Sequence, residues 1–299
     1  MMSNTAMNSR PLRPRRSVLY VPAAHEKAVA KSETLACDAV IYDLEDAVAP
    51  AAKGEARERL RDHFKAHRDS RHERIIRINA LSSEFGPEDF LAARACKPDA
   101  ILIPKVDVPR DIGDVADMLA ETDAADTIRL WAMMETPKAI LNAAKIAEWG
   151  ETPGSRLDCL VIGTNDLAKD LRLPGPGRAE LMPLMMDLIV AARAFGLDVI
   201  DAVFNAFRDE EGFAAECRQA AAMGFDGKTL IHPIQIEGAN AAFGVSAERE
   251  AVAAAIVAAF EKPENRDAGV IGLDGRMVER LHLEEARRTL ALAALQRGD

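Results

Sequence analysis

Two carboxylates stand where short apolar runs give out. Glu135 follows the run at residues 130–134. Asp166 follows the run at residues 159–162, after the turn Gly163-Thr164-Asn165. Residues 138–149, between them, carry helical patterning. In a strand–helix–strand unit the strands are parallel, so both acids face one rim. Two carboxylates suffice for Mg²⁺, which leaves its other positions to water and substrate. A structural role competes with this one. Glu135 precedes Thr136-Pro137, a helix-start signal, and either acid could serve as a cap or a rim ion pair.

Other rim candidates follow the same logic. Asp43, Glu45 and Asp46 form a dense acidic turn that could orient metal-bound water, cap a helix or pair with an arginine. Arg77 closes a run of isoleucines. An arginine at a buried strand end needs an anion, whether a substrate oxygen or one of these internal acids. Lys105 reads as a structural ion pair before it reads as a Schiff-base lysine. His232, in Ile231-His-Pro233, reads as a histidine bonded to backbone before an acid–base group.

These positions require a particular scaffold. Apolar β-rich runs fall at residues 17–21, 39–43, 74–78, 100–106, 130–134, 159–162, 199–203 and 228–231. Helical patterning fills 25–36, 54–67, 87–96, 111–121, 138–149, 178–195 and 209–223. Eight alternations predict an α/β fold, a (β/α)8 TIM barrel, whose sites sit at the C-terminal ends of strands. A doubly wound open sheet would want a glycine-rich turn after its first strand, and that turn reads Pro22-Ala-Ala-His-Glu. The barrel is expected over residues 16–244, after a flexible tail over 1–15. A helical extension or lid follows over 245–299, with a helix at 247–260, a tight turn at Asp274-Gly275 and a last helix at 277–294.

Composition narrows the partners. The 299 residues carry 38 basic and 48 acidic side chains, a net charge of −10, which argues against nucleic acid and anionic membranes. No apolar run in the sequence is long enough to span a bilayer. Four cysteines, widely spaced and without C-x-x-C pairs, read as reduced core residues of a cytoplasmic protein. The basic N-terminus lacks the apolar stretch of a secretory signal. Serine-hydrolase, P-loop, H-E-x-x-H and dinucleotide motifs do not occur.

The stretches Arg16-Ser-Val-Leu-Tyr-Val-Pro22, Asp43-Leu-Glu-Asp46, Arg77-Ile-Asn79, Pro104-Lys105, Glu135-Thr-Pro137 and Gly163-Thr-Asn-Asp-Leu167 together resemble the citrate lyase β-subunit-like family. Malyl-CoA lyase, citramalyl-CoA lyase and malyl-CoA thioesterase are members. The resemblance runs in order from residue 16 to about 290. It implies a barrel with a C-terminal extension, assembled as a homotrimer or a pair of trimers, and a CoA thioester substrate. It implies Mg²⁺ on Glu135 and Asp166, Arg77 on the thioester oxygen, and Gly163, Thr164 and Asn165 against the acid. Asn165 stands where many members have Glu. Glu279, in Met277-Val278-Glu279, matches an acid–base Asp carried by lid-bearing members and delivered from a neighbouring subunit. Arg16 and Lys27 are the candidates for CoA phosphate contacts.

Overall fold

The structure is a computed structural model, which describes residues 10, 12–122, 124–175 and 177–297. Eight strands close in sequence order into a parallel barrel: β1 Ser17–Pro22, β2 Ala39–Asp43, β3 Glu73–Arg77, β4 Ala100–Ile103, β5 Arg129–Met134, β6 Leu157–Ile162, β7 Asp198–Asp201 and β8 Gly227–Leu230. The helices between them are α1 Glu26–Ser32, α2 Lys53–Ala66, α3 Gly86–Cys96, α4 Pro109–Glu121, α5 Pro137–Leu141, α6 Ala143–Trp149, α7 Thr164–Asp170, α8 Arg178–Ala194, α9 Glu210–Met223 and α10 Ile236–Phe243. The expected (β/α)8 barrel is therefore the fold.

The barrel interior explains how the site is placed. Side chains alternate across a strand with period two. Ala39 and Ile41, Ile75, Trp131 and Met133, and Cys159 and Val161 all face the lumen and are buried there. Continuing each alternation by two residues reaches Asp43, Arg77, Glu135 and Gly163. These four candidate positions form the top layer of the barrel core. The odd-phase neighbours Tyr42, Asp201 and Lys228 point the other way and meet the helices.

The opposite end is closed by charge. Arg15 is 2 % exposed. It bonds Glu73 through Nε at 2.8 Å and through Nη2 at 2.7 Å, and it pairs with Asp158 and Asp198. Its guanidinium lies 4.8 Å from the Trp131 ring centre. Burial by itself lowers the arginine pKa, but Glu73, Asp158 and Asp198 hold it well above its ordinary value. Arg10 is also held, through the carbonyls of Leu157, Phe195 and Gly150. Of the tail expected over 1–15, residues 1–9 and 11 lie outside the described residues, and Arg10 and Arg15 are bound as above.

Residues 243–297, with 12–14, form a second compact unit. It contains α11 Ala247–Glu261, a hairpin of β9 Val270–Leu273 and β10 Arg276–Glu279, and α12 Arg280–Arg297. Phe260, Ile271, Val278 and Leu283 form its core. The helix expected from residue 277 begins instead at Arg280. Asp274 and Gly275 both take positive φ, 49° and 75°. That turn matches strand twist and commits Arg276–Glu279 to pairing.

Three further boundaries differ from the sequence reading. The helix expected over 138–149 breaks at Asn142, whose side chain donates to the Asp107 carbonyl at 3.0 Å. The fourth strand stops at Ile103 because Lys105 adopts φ 50°. Asp166 sits in the first turn of α7, a helix the periodicity did not reveal. All four cysteines are unpaired thiols. Among the described residues, no helix is long and apolar enough to cross a membrane.

Candidate active site

A cavity of about 370 Å³ opens at the C-terminal rim. Asp43, Asp46, Arg77, Glu135, Gly163, Thr164, Asn165 and Asp166 all line it. Most of the residues singled out in the sequence are thus brought together.

Glu135 is the most constrained of them. It is 1 % exposed, and its Oε1 accepts the Lys105 backbone N–H at 2.9 Å. The left-handed turn at Lys105 aims that amide. Gly163 makes room on the other side. A Cβ there would lie 2.5 Å from Glu135 Cβ and 2.8 Å from its Oε2. Burial raises the Glu135 pKa to about 7, and the charges of Glu45 and Asp166 push in the same direction. A buried carboxylate facing like charges is a site that a cation would relieve.

Arg77 lies directly opposite Asp43 in the β2–β3 ladder. Its Nε and Nη2 donate to the two Asp43 oxygens at 2.7 and 2.6 Å. Asp43 also accepts the Glu45 and Ala47 amides at 2.9 and 3.1 Å. Arg77 Nη1 lies 2.8 Å from Glu45 Oε2, out of hydrogen-bond alignment, and 3.7 Å from Asp46. Burial lowers the Arg77 pKa, but Tyr20 and the acids outweigh it and the group stays charged. The acidic turn expected to orient metal-bound water therefore has Arg77 and backbone amides as its partners. Glu45 itself is pushed upward by burial, with Arg77 opposing.

The turn is held from behind. Lys53, buried at the start of α2, donates to the carbonyls of Leu44 and Glu45 at 2.7 and 2.9 Å. Asn79 donates to the Leu44 carbonyl at 2.8 Å, and Asp89 in turn accepts from Asn79. Lys53 and Asp89 went unnoticed in the sequence, where they look like ordinary helix charges.

Asn165 pairs with Asn205 across the mouth, with Asn205 Nδ2 2.8 Å from Asn165 Oδ1. Tyr20 was also missed. Its ring centre lies 5.1 Å from the Arg77 guanidinium carbon, and its hydroxyl is 3.5 Å from Met133 Sδ. Its place on the first strand was legible, but not the face it takes. Lys105 pairs with Glu45 at 3.4 Å, as expected of a structural lysine. His232 accepts the Ile234 amide at 3.2 Å and stacks on Phe207, exposed rather than in the core.

Arg16 precedes β1, at the barrel end opposite the cavity, and is held by Asp38 at 2.7 and 2.8 Å. It cannot supply a phosphate contact at the rim. Lys27, exposed in the first turn of α1 beyond the C-terminal end of β1, is on the rim side. Glu279 ends β10 in the second unit, and its amide donates to His282 Nδ1 at 2.9 Å.

Residues 16–233 match the model of the HpcH/HpaI aldolase/citrate lyase family. The chain belongs to this family. Within it, a (3S)-malyl-CoA thioesterase of Cereibacter sphaeroides is 46% identical over 281 residues, covering 94% of this chain and 95% of that protein. A mitochondrial citramalyl-CoA lyase of Rattus norvegicus is 33% identical, covering 94% and 86%. The crystal structure of protein CitE from Mycobacterium tuberculosis, in complex with magnesium, acetoacetate and coenzyme A, superposes with a TM-score of 0.72 at 29% identity, covering 93% and 97%.

Proposed function

We propose that this member of the HpcH/HpaI aldolase/citrate lyase family is a Mg²⁺-dependent CoA-ester lyase. It cleaves a 3-hydroxyacyl-CoA such as malyl-CoA or citramalyl-CoA to an acyl-CoA and a 2-oxo acid. One observation carries this reading: Glu135, Asp166 and Arg77 all line a single cavity at the barrel rim. The relative crystallised with magnesium and coenzyme A supports it.

The donor set suits the ion. Glu135 and Asp166 offer the hard oxygens Mg²⁺ prefers, and both line the same cavity. Mg²⁺ held there supplies a Lewis acid that lowers the pKa of the substrate hydroxyl and steadies the departing oxo acid. The chain's own groups do the rest. The hydroxyl proton passes to water in the open cavity, and the new carbonyl forms as the C2–C3 bond breaks. The electron pair of that bond moves onto the thioester as an enolate. Asp43 occupies two of the five guanidinium N–H donors of Arg77, so others remain to meet the thioester oxygen where charge develops. The backbone at Gly163 and Thr164, with Asn165, lies against the acid. Following the resemblance, Glu279 from a neighbouring copy protonates the enolate carbon, in a homotrimer or pair of trimers. Lys27 is the remaining candidate for a CoA phosphate.

Malyl-CoA thioester hydrolysis at the same site is the second reading, favoured by the 46% identical relative of that name. Malyl-CoA and Mg²⁺ separate the two. A lyase releases glyoxylate and acetyl-CoA in equal amounts, whereas a thioesterase releases malate and free CoA. Absence of both product pairs across a panel of 3-hydroxyacyl-CoA esters would remove the proposal.

A further inference from the structure

Glu33, His63 and His67 meet on the outer layer of the barrel, where α1 and α2 cover β2. One ligand atom from each lies within 4.8 Å of the others, the only such group of three among the described residues. None of the three lines the rim cavity. Glu33 caps the end of α1, and His63 and His67 are one turn apart at the end of α2, so both rings share a face. Their ring centres are 4.6 Å apart.

The surroundings prepare these groups as ligands. His67 Nδ1 is 3.0 Å from the His63 carbonyl. Donation to that oxygen fixes the tautomer that leaves Nε2 bare, an arrangement common to metal-bound histidines. Glu33 Oε1 already lies 2.9 Å from His63 Nε2. Two donors on a tetrahedral zinc ion are separated by about 3.3 Å, given metal–ligand bonds of about 2.0–2.1 Å. The Tyr42 hydroxyl touches His63 Nε2 at 3.0 Å, Glu33 Oε1 at 3.3 Å and Ser32 Oγ at 3.0 Å, and so braces the group from the barrel side. Burial lowers the His63 pKa, which leaves the ring neutral and able to ligate.

We propose that Glu33, His63 and His67 form a second cation site, specific for a borderline divalent transition ion such as Zn²⁺. The three side chains supply His₂Glu coordination, and water completes the tetrahedron. The ion takes the place of the proton on His63 Nε2, beside Glu33 Oε1, and in the neutral ring that proton moves to Nδ1, so no net proton is released. The nitrogen donors set this site apart from the all-oxygen rim. The ion ties the end of α1 to the end of α2 over Tyr42, the neighbour of Asp43.

The test uses the purified full-length chain, stripped with chelator, in excess Mg²⁺, titrated with Co²⁺ and with Zn²⁺. One equivalent of Co²⁺ should bind and give the intense visible absorption of a tetrahedral ion. Zn²⁺ at 100 times its Kd should raise the melting midpoint by about 5 °C. His67→Gln, at an exposed position, should keep the fold by circular dichroism and weaken both ions at least about tenfold. Glu33→Gln should do the same, whereas Glu135→Gln at the rim should leave both signals intact. Weak octahedral absorption, unchanged binding in His67→Gln, or loss of the signal in Glu135→Gln would each overturn the proposal.

Discussion

The Arg77 guanidinium straddles both oxygens of Asp43, at 2.7 and 2.6 Å, from the paired position on the adjacent strand. The charge proposed to stabilise an enolate is thereby aimed before substrate arrives. The holder contributes no ligand to the proposed metal, so positioning and metal binding can be separated by experiment.

Asp43→Asn should leave Mg²⁺ affinity near wild type and lower kcat about 100-fold, the scale expected for a misplaced catalytic group. Calorimetric titration with Mg²⁺ alongside steady-state kinetics checks both halves. A large drop in Mg²⁺ affinity would return Asp43 to the metal's surroundings.

Gly163→Ala should drive Glu135 from its place, since the new methyl would sit 2.5 Å from Glu135 Cβ. Mg²⁺ affinity should fall roughly 10–100-fold. Unchanged affinity measured by titration would detach Glu135 from the metal.

Glu135 also sets a pH dependence. Its folded pKa of about 7 lies above its ordinary 4.5, so the folded state binds the extra proton between those values. In the metal-free protein its contribution to stability is full below about 4.5 and is lost as the pH rises through about 7. Mg²⁺ needs the ionised form, so affinity should fall about tenfold per unit below pH 7. Titrations at pH 5.5, 6.5 and 8 check this, and Glu135→Gln should flatten the stability profile over the same window.

Arg15→Ala should cost about 3–5 kcal/mol in denaturant unfolding, because Glu73 and Asp158 are left buried and uncompensated. Arg15→Lys should recover only part of it, because an ammonium cannot fork across two acids.

Glu279→Ala should lower kcat about 100-fold or more if it protonates the enolate. Mixed with Arg77→Ala subunits under exchange conditions, it should regain part of the lost activity. Mixtures as inactive as either parent would place Glu279 outside a shared site.

Much of this was written in one dimension. The eight alternations gave the barrel, and the strand ends at Asp43, Arg77 and Glu135 named most of the top layer of its core. Other features were illegible for definite reasons. In a barrel with helices outside, both faces of each strand are apolar, so the sequence does not show that Tyr20 and Asp43 face inward while Tyr42 and Asp201 face out. The hairpin at β9 and β10 hid because Met277-Val278-Glu279 continues into a strongly helical segment. The Asp274-Gly275 turn was seen, but not the pairing it imposes.

Local residue chemistry therefore determined the architecture, the candidate cation pair and the need of Arg77 for an anion. Which anion it met depended on register, since only the closed sheet sets Asp43 opposite Arg77. The approach of Gly163 to Glu135 and the raised pKa of that acid are likewise products of packing. So is the gathering of Glu33 with His63 and His67, which lie thirty residues and more apart until α1 and α2 come together over β2. Periodicity and turn chemistry act between near neighbours along the chain, and so can be read from it. Distances between side chains on different strands and helices exist only once the core has closed.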